Sequence, residues 1–184
     1  MPLPAAPARR EIHRRNIDMK VYARDDGLYD VESRLIDTKP FEFQRLSPGG
    51  PHPAGEPLHD LWVRFTIDEH YVVKAVDASS DATPFGLCKE AGSALSVLVG
   101  EKIARGWTAL VKAKLRGAAG CTHQTDLLIM MATAAVQGVR GLWITRHPQE
   151  FRNNSGSRLD SCYAFGRHRE VVKMLWPEHH RPDA

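Results

Sequence analysis

Residues 59–79 read HDLWVRFTIDEHYVVKAVDAS, and this stretch decides the fold. In its first half Leu61, Val63, Phe65 and Ile67 alternate with Asp60, Trp62, Arg64, Thr66 and Asp68. A strand sends successive side chains to opposite faces, so this period of two predicts a strand with one apolar and one wet face. YVVKAVDAS (71–79) resumes after only Glu69 and His70, a spacing that predicts a tight antiparallel hairpin. Upstream, GLYDVESRLID (27–37) repeats the pattern, with Tyr29, Val31, Ser33 and Leu35 opposite Leu28, Asp30, Glu32 and Arg34. RDDG (24–27) is a turn by composition, and LSPGGPHPAGEP (46–57) is too rich in Pro and Gly to be anything but a loop. The first half therefore predicts an antiparallel meander.

Beyond residue 82 the period changes to that of helices. Thr83-Pro84 offers a cap with Pro at the first helical position, and Cys88, Ala91, Leu95 and Leu98 recur at helical spacing as far as Gly100. A short segment, WTALVKAKLRG (107–117), follows Gly106 and stops at Gly117. The last long helix is expected to take Thr122 as its N-cap, to bury Leu127, Leu128, Met131, Ala134 and Ala135, and to end near Gly138. Residues 147–160 read as a polar loop, and 161–177 as a hairpin or as a strand with a short helix. The expected class is α+β: an antiparallel β-meander packed against C-terminal helices. Residues 1–10 form a loose Pro/Ala-rich tail and residues 11–184 a single domain.

The composition narrows function without naming it. The chain has 184 residues, 42% hydrophobic and 26% charged, with a formal net charge of +3. That charge is too small to point to nucleic acid, and Arg9, Arg10, Arg14 and Arg15 hold much of it. The start lacks the apolar core of a secretory signal, and no run of about eighteen apolar residues predicts a membrane span. Three widely separated cysteines, Cys88, Cys121 and Cys162, do not suit a disulfide framework and predict a cytoplasmic protein.

GCTHQTDLL (120–128) gathers the most chemistry. Beside the positive end of a helix dipole, the Cys121 thiol becomes more acidic and the His123 imidazole favours its neutral form. Neutral histidine is the form that acts as a base or a metal ligand. Asp126, three residues on, is the expected carboxylate to orient His123. A capped helix with a partly buried cysteine is the bland alternative. Cys88, Cys121 and His123 form a candidate metal set, although zinc needs four converging groups and no CxxC is present. His59 and Asp60 form a second acid–base pair. Arg24, Arg64, Tyr29, Trp62, Phe85 and Cys121 are further candidate site residues. The charged strand face reads equally as a solvated ladder or as a pocket wall.

The stretches RRNIDMKVYARDDGLYDVESRLIDTKP, LHDLWVRFTID, PFGLC and GCTHQTDLL together resemble the bacterial family catalogued as domain of unknown function 2889. The likeness covers residues 9–140 and extends more loosely to Pro177. That family's last motif commonly reads Gly-Cys-Thr-His-Leu before an acidic residue. Here Gln124 stands for the Leu, and Asp126 stands where Glu is common. The resemblance implies a bacterial protein of aromatic catabolism. Some relatives resemble γ-formaldehyde lyases that convert lignin-derived phenylcoumarans to stilbenes. The activity then expected is a cofactor-free, acid–base carbon–carbon lyase acting on a small aromatic substrate. Charge and hydropathy predict no nucleic-acid or membrane partner, and a chain with this little helix to cover its sheet is expected to pair as a homodimer. His123 is the expected base, Asp126 its orienting group, and His59 with Asp60 the alternative pair. A weaker likeness, at the level of fold, is to iron–sulfur scaffolds of the IscU type, with Cys88, Cys121 and His123 at the matching positions. A metal- or cluster-binding module and a noncatalytic aromatic-binding protein remain the competing readings.

Overall fold

The computed structural model describes residues 3–153 and 155–182. It is α+β, and the chain divides into two compact units, one running to Val139 and the other from Arg140.

The first unit is built on a four-stranded antiparallel sheet. Its strands are β1 (Arg14–Ala23), β2 (Tyr29–Thr38), β5 (Pro57–Ile67) and β6 (Val73–Ala82), in the order β1-β2-β5-β6. Two short strands, β3 (Phe43–Gln44) and β4 (Pro51–His52), form a separate ribbon within the predicted Pro/Gly loop. The strand before RDDG, at Arg14–Ala23, adds a fourth member to the meander. At that turn Arg24 N–H donates to the Leu28 carbonyl at 2.9 Å, and Gly27 adopts φ 83°. The β5–β6 connection is longer than the expected two residues. Asp68 holds it: its carboxylate accepts the backbone N–H groups of His70 and Val72 at 2.9 Å each.

The alternation holds as the sequence predicts. Val31, Leu35, Leu61, Val63, Phe65 and Ile67 are buried on one face, while Trp62 on the other is 37% exposed. Two helices cover the apolar face, α1 (Trp107–Lys114) and the first part of α2 (Thr122–Arg146). Phe65 meets Trp107 edge to face at 5.8 Å, and the Trp107 indole N–H donates to the Leu128 carbonyl at 3.0 Å. Each such fully buried apolar side chain stabilises the fold by about 1.5–3 kcal/mol relative to its exposed state.

Several helical boundaries differ from expectation. Gly86–Leu98 is a run of 3-10 turns, not an α-helix, and its cap position is Phe85. The Thr83 hydroxyl donates to the Phe85 carbonyl at 2.8 Å instead of capping a helix. Leu95 and Leu98 still bury, three residues apart, as a 3-10 period requires. α2 runs through Gly138 to Arg146. Gly138 marks a close approach and not a stop, because a Cβ there would lie 2.7 Å from the Val21 side chain. An eighteen-residue window of α2 has mean hydropathy 1.5, so by length and composition the helix could cross a bilayer. Its Leu127, Leu128, Met131 and Ala135 are instead fully buried in the core.

The second unit holds the end of α2, α3 (Pro148–Asn153) and α4 (Glu170–Leu175). The predicted polar loop at 147–160 thus contains a helix, and among the described residues 161–177 form no strand. Trp176, 1% exposed, is its centre; Phe151 and Phe165 lie 5.9 and 5.6 Å away, and its indole N–H donates to the Arg152 carbonyl at 2.8 Å.

Candidate active site

The register of three strands assembles the site. Arg15 in β1 lies opposite Asp37 in β2, and Asp37 lies opposite His59 in β5. Asp37 continues the stripe of Val31, Ser33 and Leu35, so the polar row sits at one end of the apolar face. Asp37 is only 1% exposed. Arg15 grips it with two hydrogen bonds of 2.7 Å, from Nε to Oδ1 and from Nη2 to Oδ2. His59 Nδ1 lies 3.0 Å from Oδ2, and His13 Nε2 lies 3.3 Å from Oδ1.

Burial pushes the Asp37 carboxyl up. The Arg15 hydrogen bonds and the nearby charges of Arg15, His59 and His13 outweigh it and hold the group ionised, below its ordinary value. Asp37 in turn raises the Arg15 guanidinium. For His59, burial and the adjacent His123 lower the pKa by more than Asp37 raises it. A neutral His59 beside an ionised Asp37 keeps its proton on Nδ1, which leaves the Nε2 lone pair free.

The opening turn of α2 completes the group. The first helical bond runs from Thr125 N–H to the Cys121 carbonyl at 2.9 Å, so Cys121 occupies the cap position expected for Thr122. Burial raises the Cys121 thiol, but His123 and the backbone N–H groups of Gln124 and His123 bring it below its ordinary value. His123 Nδ1 lies 3.8 Å from Cys121 Sγ, and its ring packs on His59 with centroids 4.0 Å apart. The result is a chain of contacts, Arg15–Asp37–His59–His123–Cys121.

Other predicted residues go elsewhere. Asp126 does not bond His123; it shares a shallow groove with Arg15 and Lys112 and contributes to the field at Arg15. Asp60 points to the open face of the sheet, where Arg34 holds it with bonds of 2.8 and 2.7 Å. Arg34 also covers the Trp62 ring, 4.9 Å from its centroid. Arg64 pairs with Asp77 at 2.6 Å on that same face, and Arg24 pairs with Asp26 at 2.6 Å. Tyr29 is on the core face, but eight residues from Asp37, about 27 Å along the strand. Phe85 and Cys88 belong to the start of the 3-10 run, Phe85 at the rim of a separate cleft. Among the described residues, the one group of three whose ligand atoms approach within 4.8 Å of one another is Asp37, His59 and His123. The candidate set Cys88, Cys121 and His123 is therefore not assembled.

Asp37 and Arg15 were missed in the sequence. A carboxylate closing an apolar stripe on a core-facing strand was the available signal for Asp37. Comparison with curated proteins and with solved structures gives no match. The family model described as "Protein of unknown function (DUF2889)" matches residues 13–137. That span runs from His13 past Cys121 and His123, and it is more than half of the chain. The protein belongs to the DUF2889 family.

Proposed function

We propose that this protein is a carbon–carbon lyase that releases formaldehyde from a hydroxymethyl-bearing, lignin-derived aromatic dimer of the phenylcoumaran type, giving a stilbene. The observation that carries the acid–base chemistry is the imidazole of His59, bonded through Nδ1 to buried Asp37 and packed at a tilt against His123. This replaces His123–Asp126 and His59–Asp60 with His59–Asp37 as the working pair.

The reaction needs no oxidation. The para-hydroxyl of the neighbouring ring gives up its proton as the dihydrofuran opens, the expelled aryl oxygen takes a proton up, and a quinone methide is left. His59 Nε2 takes the hydroxyl proton, the bond to the hydroxymethyl carbon breaks, and formaldehyde departs. The bonding pair becomes the stilbene double bond as the quinone methide regains aromaticity. His123 is the acid nearest to His59 and returns a proton to the phenolate. Asp37 stays ionised and steadies the imidazolium that forms on His59. Arg64 and Arg24, on the open face or its turn, take no part.

Incubation with a hydroxymethyl phenylcoumaran, scored by formaldehyde and by stilbene fluorescence, tests the reading. His59→Asn is expected to slow release about 10²–10⁴-fold, the usual contribution of a positioned base. Full activity in that variant, or no release by the wild type, defeats it.

The approach of Asp37, His59 and His123 supports a second reading, a metal-binding module. Its weakness is electrostatic: Asp37 already accepts two Arg15 hydrogen bonds, and a fixed guanidinium beside the site repels a metal cation. Stoichiometric metal, lost in His59→Asn, favours this second reading.

A further inference from the structure

A cleft in the first unit holds about 690 Å³. It lies between the β3–β4 ribbon, the start of β5 and the opening of the 3-10 run, lined there by Phe43, His52, Leu58 and Phe85. Small-molecule sites typically occupy about 300–1,000 Å³ and combine apolar walls with a few polar groups. Leu58 on its wall is next in sequence to His59, while Asp37, His59 and His123 themselves lie outside its lining.

Its wall carries two exposed cations, Arg45 and Lys89. Arg15, Arg24, Arg34 and Arg64 are each locked to a carboxylate. Among the described residues, Arg45 and Lys89, both exposed on the cleft wall, form no ion pair and no side-chain hydrogen bond. The cleft also contains two carboxylates. Asp81 is engaged by the Ser79 hydroxyl at 2.8 Å, and the Glu56 side chain has no bonded partner there. The His52 ring is fixed, its Nε2 3.1 Å from the Glu56 carbonyl and its plane 5.1 Å from Phe43 between centroids.

We infer that this cleft seats the substrate and that the substrate is a phenolic aromatic bearing a carboxylate. The rings lie against Phe43 and Phe85, Arg45 and Lys89 receive the carboxylate, and Glu56 accepts the phenolic hydroxyl. This assignment rests on the lyase reading for its link to chemistry; the binding itself is separable.

The test is calorimetric titration of the full chain with 4-hydroxycinnamate and with its methyl ester. Arg45→Met and Lys89→Met alter exposed side chains, and unchanged melting temperatures establish that each variant is folded. Each is expected to weaken the acid about tenfold, as loss of one charge-assisted contact does. The ester is expected to bind more weakly than the acid and equally to all three proteins. His59→Asn is expected to retain the acid's affinity while losing formaldehyde release. Unchanged affinity in both Met variants, or no binding by the wild type, overturns the cleft assignment. Retained release in His59→Asn with weakened binding in the Met variants overturns the base and leaves the cleft standing.

Discussion

The two faces of the sheet carry nearly the same ion pair in different surroundings. On the core face Arg15 binds Asp37 with two bonds of 2.7 Å; on the open face Arg34 binds Asp60 with bonds of 2.8 and 2.7 Å. The difference is water. Asp37 has a side-chain exposure of 1% and also serves His59, whereas Asp60 has 10%; the two arginines are alike, at 34% and 38%. The open-face pair forms part of a solvated ladder with Arg64, Glu32 and Asp77. Geometry alone therefore does not mark a functional pair. Burial together with a titratable third partner does.

Removing each carboxylate separates the two cases. Asp37→Ala strands Arg15 and deprives His59 of its partner; breaking a fully buried pair costs about 3–5 kcal/mol, and because Arg15 is 34% exposed the loss should fall below that range. Asp60→Ala is expected to cost less, because Arg34 stays hydrated on the open face and no histidine loses a partner. Chemical denaturation of both variants reads the gap directly. Equal losses would break the contrast between the faces.

Acid sharpens it further, and both groups act in the same direction. The folded pKa of His59 is lowered, so the unfolded chain takes up this proton first and stability falls as pH drops below about 6.5. The folded pKa of Asp37 is also lowered, so its contribution is present above about 3.9 and is lost as pH falls through its folded value. As the base, His59 works when neutral. Release of formaldehyde should hold to a pH below the ordinary histidine value, then fall about tenfold per unit. An acid limb centred above 6.5 in kcat/KM would contradict a neutral, desolvated His59.

The meander was legible because half-buried strands write their burial into alternate residues. Val31, Leu35, Leu61, Val63 and Phe65 all buried on the face that alternation assigned. The helical half was less legible for local reasons. Gly138 looked like a stop because sequence cannot show that Val21 lies against it. Cys121 took the cap because its thiol and carbonyl both serve the first turn, a role that residue preferences give to Thr122. The site was half legible. His59 and His123 stood out by residue type, but the partner of His59 depends on a strand register that joins residues 22 apart. Neighbouring Asp60 and Asp126 were closer in sequence and pointed elsewhere.

Gln124 offers the smallest and cleanest perturbation. It follows His123 and is fully buried, and neither its amide oxygen nor its nitrogen has a hydrogen-bond partner. The nitrogen lies 3.9 Å from the Cβ position of Gly92, at the edge of the core beside Ala78. A buried amide without partners costs about 1–3 kcal/mol, and an apolar group of similar size removes that cost. Gln124→Leu should therefore stabilise the fold by about 1 kcal/mol, read as a rise in melting temperature. Its backbone N–H still reaches the Cys121 sulfur, so the acidity of that thiol should not change. Loss of stability in Gln124→Leu would mean that the amide is satisfied by bound water. The core face would then be wetter beside His123 than the contrast between the two faces requires.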